Sequence, residues 1–153
     1  MNNKKTAIDI RRATGTDGTA IVSLDAEVTG TEKSAYWTDI LERFTGPRPR
    51  IQRYFLVAST ADGELVGFIV GEVRAWEFGS PPCGWVIALS VSPAHRERGI
   101  GTMLLNALCA ELGKANVTTI RTMVRGNDKV NLSFFRGEGL AAGPYIELEK
   151  RLH

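Results

Sequence analysis

Val86-Ile87-Ala88-Leu89-Ser90-Val91-Ser92-Pro93-Ala94-His95-Arg96-Glu97-Arg98-Gly99-Ile100-Gly101-Thr102 is the stretch whose reading decides the fold. Its apolar half belongs to a buried central strand, Trp85 to Val91. The segment after it, Thr102 to Lys114, reads as a helix with Leu105, Leu108, Cys109 and Leu112 on its inner stripe. Between them lies a basic turn with Gly99 and Gly101, where the backbone can turn and approach a ligand without a Cβ in the way. A helix N-terminus carries unpaired N–H groups and a partial positive charge, so it attracts anions. Arg96 and Arg98 oppose that dipole at about 0.3–1 kcal/mol each, a conflict that a bound phosphate would remove.

Two familiar phosphate-binding patterns do not fit. A nucleotide-triphosphate loop needs Lys-Ser/Thr after its second glycine, but Thr102-Met103 follows Gly101. The dinucleotide fingerprint needs three glycines, and this turn has two glycines and two arginines. Arg96–Gly101 instead resembles the Arg/Gln-x-x-Gly-x-Gly/Ala signature of the GNAT superfamily of N-acetyltransferases, with Val91-Ser92-Pro93 as its strand exit. A second block, Asp128–Leu140, resembles that family's Asn-x-x-Ala-x-x-Phe-Tyr-x-x-x-Gly-Phe segment. It departs where Asp128 replaces the Asn, with Asn127 one residue earlier, and where Asn131 replaces the Ala.

The resemblance implies a GNAT-like α/β (α+β) fold, a central mixed sheet flanked by helices. It implies acetyl-CoA as cosubstrate and an amine as acceptor. The pyrophosphate of coenzyme A then lies on the backbone of Arg96, Glu97, Arg98, Gly99, Ile100, Gly101 and Thr102. The pantetheine arm pairs with Leu89, Ser90 and Val91, and Asn127, Asn131, Phe134 and Phe135 complete the cofactor contacts. A backbone N–H at Leu89 would serve as oxyanion donor. The family's acidic Tyr falls on Phe135, which has no proton to give, and its strand Glu falls on Trp85. Glu72 and Glu77 are therefore the candidate bases, with solvation or pairing to Arg74 as their structural alternative. The leading expectation is an acetyl-CoA-dependent N-acetyltransferase acting on a protein N-terminus, a Lys or a small-molecule amine. The missing Tyr and Glu also leave open a non-catalytic acyl-CoA-binding module.

Composition sets bounds. The 153 residues suit one domain, with 43% hydrophobic and 24% charged residues as in ordinary globular proteins. A net charge of +2 without a Lys/Arg run gives no reason to expect nucleic acid or a membrane surface. Cys83 and Cys109 are too few for a disulfide framework and fit a reduced, cytoplasmic setting. With His95 and His153 the only histidines, no metal cluster is apparent. Met1–Lys5 is charged, but no apolar core of a secretory signal follows it. Association into a homodimer is left open.

The remaining pattern places elements along the chain. Ala7–Arg11 alternates as a first strand, and a helix capped by Thr16 or Asp17 runs to about Val28. Ser34–Phe44 reads as a second helix, with Trp37, Ile40, Leu41 and Phe44 in register, and Gly46–Pro49 as a loop. Tyr54–Ser59 and Leu65–Trp76 form a hairpin about Asp62-Gly63. Gly79–Pro82 makes a further loop. Val117–Val124 reads as a strand parallel to the central one, and Tyr145–Leu152 as a last strand.

Overall fold

The computed structural model describes residues 7–47 and 52–153, so Met1–Lys5 and the Arg48-Pro49 end of the expected loop lie outside the described residues. Two compact units result, one ending at Thr122 and the other running from Met123 to His153.

The first unit is built on five strands: β1 (Ile8–Arg12), β2 (Arg53–Thr60), β3 (Leu65–Arg74), β4 (Cys83–Val91) and β5 (Ile120–Arg121). They lie side by side in sequence order. All neighbours are antiparallel except β4 and β5, which are parallel as the strand–helix–strand pattern requires. Helices α1 (Gly18–Thr29), α2 (Ser34–Thr45) and α3 (Ile100–Lys114) complete the unit.

The two faces of the sheet are packed differently. Phe55 and Val57 of β2 and Phe68 and Val70 of β3 meet Ile21 and Leu24 of α1 and Trp37, Ile40, Leu41 and Phe44 of α2. Trp37 stands edge-on to Phe68 and Phe55, with ring centroids 5.0 and 6.1 Å apart. On the opposite face the sheet offers glycines to α3. A Cβ on Gly67 would meet Leu104, one on Gly71 would meet Leu108, and one on Gly84 would meet Leu112. Burial on both faces explains why β2 and β3 read as nearly continuous apolar runs.

Asp17 precedes α1 as expected, but it serves the chain before the helix. Its carboxylate accepts two hydrogen bonds of 2.8 Å from Arg11 and one of 2.8 Å from the Thr14 N–H. The Arg11 hydrogen bonds are the main reason that its pKa lies below the usual carboxylate range.

Three expectations need correction. The strand expected over Val117–Val124 shortens to Ile120–Arg121, because the ladder with β4 ends at Trp85 and the Thr122 hydroxyl, not a backbone N–H, meets the Val86 carbonyl at 3.0 Å. A bulge in β4 follows: β3 pairs Gly71 with Val86 and Val70 with Ala88, which leaves Ile87 without an opposite number. Tyr145–Leu152 forms no strand, and Ile146, Leu148 and Leu152 are all exposed. Alternation specifies a strand only where a neighbour supplies a ladder and a surface to bury against. Helix α3 starts at Ile100, two residues before the expected Thr102, and Cys109 sits only at the edge of its buried stripe.

Two outcomes test this packing. Gly71→Ala puts a methyl 2.7 Å from Leu108 and 2.9 Å from the Trp85 carbonyl. It is expected to lower stability by about 1–3 kcal/mol in urea unfolding. The folded-state pKa of Asp17 is depressed, so its stabilisation is present above about pH 4 and is lost as the pH falls below that. Asp17→Asn is expected to cost about 1–3 kcal/mol at pH 7, with the deficit narrowing as wild type and variant are titrated to acid.

Candidate active site

Strand β4 is paired on one side along its length and on the other only at Gly84 and Trp85. The phase of the paired side is set by the Ser92 N–H, which donates to the Val66 carbonyl at 2.8 Å. In an antiparallel ladder alternate residues share that orientation, so Ser90 and Ala88 also face β3. The N–H and C=O groups of Leu89 and Val91 therefore point to the edge that β5 leaves open. That edge is where an extended ligand can add as a strand.

The edge leads directly into the glycine turn. A short 3-10 turn, Pro93–His95, follows Ser92. Glu97 (φ 64°) and Gly99 (φ 77°) then take left-handed conformations, which bring the chain round into α3. No side chain caps α3, and no acidic residue stands in its first turn. Ile100 is buried in the first turn, which ties the start of the helix to the core. Arg96, Glu97 and Arg98 are exposed around this opening. The buried His95 Nδ1 has no hydrogen-bond partner among the described residues. Uncapped amides, the helix dipole and two flanking guanidiniums are what a pyrophosphate requires, so this turn and the β4 edge fit coenzyme A.

The two candidate carboxylates differ. Glu72 is buried on β3, and its oxygens accept from Arg53 Nε at 3.2 Å and Arg74 Nε at 2.7 Å. In the β3–β4 register Glu72 stands opposite Trp85, the position where the resemblance looks for a Glu. Glu77 lies in the loop after β3, with its side chain 53% exposed and one oxygen 3.8 Å from Arg74 Nε.

The second unit contains α4 (Lys129–Gly137). Asp128 caps it, accepting from the Asn131 N–H at 3.1 Å and from Asn131 Nδ2 at 2.7 Å. The Asn131 amide is thus occupied within its own helix, while Asn127 is exposed. Phe134 and Phe135 meet edge to face at 5.2 Å, and Phe135 is buried. Gly139 (φ 92°) closes the helix, with the Leu140 N–H donating to the Phe135 carbonyl at 2.9 Å.

The profile of the Acetyltransferase (GNAT) family matches residues 20–140, most of the chain. The chain belongs to this family. The L-2,4-diaminobutyric acid acetyltransferase of Nocardia farcinica is 32% identical over 97 residues, which cover 60% of this chain and 49% of that protein. The GNAT chain thus spans about half the length of that curated relative. The aminoglycoside N-acetyltransferase AAC(6')-Iy in complex with CoA has a TM-score of 0.81 at 14% identity, covering 99% of each chain. The ribosomal-protein-alanine N-acetyltransferase of Brucella melitensis biovar Abortus 2308 has a TM-score of 0.74 at 19% identity, covering 95% of this chain and 100% of that one. At these identities the two structural likenesses are likenesses of fold, and they agree with the mixed sheet and helices described above.

Two features of this GNAT chain escape its linear pattern. The Ile87 bulge has no composition signal, because it arises from pairing. Arg43, Arg53 and Arg74, far apart in sequence, gather around Glu72 and Glu77 in one cavity. Among the described residues there is no helix long and apolar enough to cross a membrane, and no group of three or more His, Cys, Asp or Glu that could hold a metal ion.

Replacing both Arg96 and Arg98 with Gln is expected to weaken acetyl-CoA binding about tenfold or more, measured by calorimetry. The unfolding midpoint should stay in place, because both side chains are exposed.

Proposed function

We propose that this chain is an acetyl-CoA-dependent N-acetyltransferase acting on a primary amine. The observation that carries the reading is the continuity between the open β4 edge at Leu89 and Val91 and the uncapped start of α3. The profile match runs across residue 122, which supports the two compact units acting as one acetyltransferase domain. Three named relatives are acetyltransferases, and they favour turnover over a module that only binds acyl-CoA. Their names span a diamino acid, an aminoglycoside and a ribosomal protein, so a small-molecule amine and a protein N-terminus are both in range.

In this reading acetyl-CoA supplies the acetyl group, whose transfer forms a C–N bond, breaks the C–S bond and releases CoA with the amine's proton. The turn from Arg96 to Thr102 holds the pyrophosphate, and Ser90 and Val91 flank the pantetheine arm. The Leu89 N–H, fixed by the ladder on its other side, donates to the carbonyl oxygen where charge develops. Glu72 is committed to two guanidiniums and positions them, whereas Glu77 keeps solvent access and takes, through water, the proton that the ammonium form of the acceptor loses before attack. A chain with two cysteines, too few for a disulfide framework, supports a cytoplasmic setting. The exposed Ile146, Leu148 and Leu152 support association of two copies.

Incubation with acetyl-CoA and a panel of amino acids, polyamines, aminoglycosides and peptides should release free CoA with one acceptor class. Tight acetyl-CoA binding without release from any acceptor would overturn the enzymatic reading. Glu77→Gln is expected to lower kcat/KM about 100-fold with the acetyl-CoA KM unchanged. An unaltered rate and pH profile would remove Glu77 from the proton path.

A further inference from the structure

Beyond the end of β3 lies a cavity of ≈590 Å³, lined by Arg43, Arg53, Glu72, Arg74, Glu77 and Phe78. Each of its three guanidiniums is anchored through Nε. Arg43 Nε donates to Asp39 at 3.0 Å, and Arg53 and Arg74 donate from Nε to Glu72. Arg53 is further stacked over the Phe44 ring, 5.3 Å from its centroid, and its side chain is only 18% exposed. The terminal amino groups of all three arginines have no hydrogen-bond partner among the described residues. A mostly buried arginine held rigid with its fork unused is arranged to receive an anion.

The rim of the cavity is strained. Trp76 (φ 70°) and Phe78 (φ 54°) hold left-handed conformations that cost about 1–3 kcal/mol each for such residues, and both rings are exposed. The loop is nonetheless fixed, with the Trp76 N–H donating to the Ser80 carbonyl at 2.6 Å and Ser80 Oγ accepting from Arg121 at 2.6 Å. Strain maintained in a fixed loop is a mark of a functional site, and Phe78 is the wall it presents to the cavity.

We propose that this cavity binds a carboxylate carried by the acceptor amine, so that the substrate class is a small amine that also bears a carboxylate, as amino acids do. The proposal rests on the acetyl-transfer reading above. Glu72 is in register with Trp85, four residues before Leu89 on β4, a separation of about 13 Å or less that the arginine side chains and an extended acceptor together span. Asp39, Glu72 and Glu77 balance the three arginines, so the cavity selects by fork geometry rather than by bulk charge. A planar, singly charged carboxylate fits that arrangement better than a doubly charged phosphate.

The test compares a diamino acid, its carboxamide, and inorganic phosphate. Wild type should acetylate the acid with kcat/KM at least about tenfold above the carboxamide. Arg43→Gln and Arg74→Gln, both at partly exposed positions, should each raise the KM for the acid about tenfold and erase the preference. The KM for acetyl-CoA should not move. Equal use of acid and carboxamide by wild type, or a preference that survives both substitutions, overturns the proposal. If no amine releases CoA, the acetyl-transfer reading fails by itself and calorimetry on the CoA-loaded protein decides the cavity. Binding of the acid that is lost in Arg43→Gln or Arg74→Gln supports the carboxylate site. No binding of the acid, or tighter binding of phosphate, overturns it.

Discussion

The close seat of α3 on a floor of glycines is the constraint on which the rest of the molecule depends. Leu104, Leu108 and Leu112 occupy space that side chains on Gly67, Gly71 and Gly84 would otherwise fill. Interiors are packed at crystal-like density, so the helix has one axial position and little freedom to shift. That position fixes Ile100, and with it the uncapped amides and the turn that enters from β4. A helix seated an ångström higher would leave the same residues in the same order but move the start of α3 off the strand edge that leads into it.

A second constraint acts on β4 itself. The unpaired residue at Ile87 bends the strand after its pairing with β5 ends, so the same strand is a sheet member at Gly84 and an open edge at Leu89. An exposed edge is usually a liability for aggregation. Here it runs into the start of α3, where no side chain caps the helix. On the other side of the sheet the aromatic packing around Trp37 supports Phe55 and Phe68, and Arg53 stacks on the nearby Phe44. The arginine cavity is thus braced by the core and not by surface loops alone.

The elements that were legible in the sequence are those specified by local chemistry. Trp37, Ile40, Leu41 and Phe44 recur at helical spacing and are buried together on α2. The hairpin about Gly63, the order strand–turn–helix around Gly99 and the helix ended by Gly139 likewise follow from residues near one another in the chain. What failed is equally physical. Val117–Val124 has the composition of a strand but its ladder with β4 ends at Trp85, and Tyr145–Leu152 alternates without a strand to pair with. Asp17 has the character of a helix cap, yet Arg11, in register on a strand, claims its carboxylate.

By itself the sequence determined the mixed fold, the family and the glycine turn between β4 and α3, because each rests on contiguous residues: a buried run, two glycines and an amphipathic stripe. Only the tertiary structure decided which edge of β4 is open, since that depends on a register shift between β3 and β4. It also decided that Glu72 is held by two arginines while Glu77 stays accessible, and that Arg43, Arg53 and Arg74 converge. These residues come from a helix, two strands and a loop. No spacing along the chain encodes their meeting, which is created by the stacking of α2 on the β2–β3 hairpin.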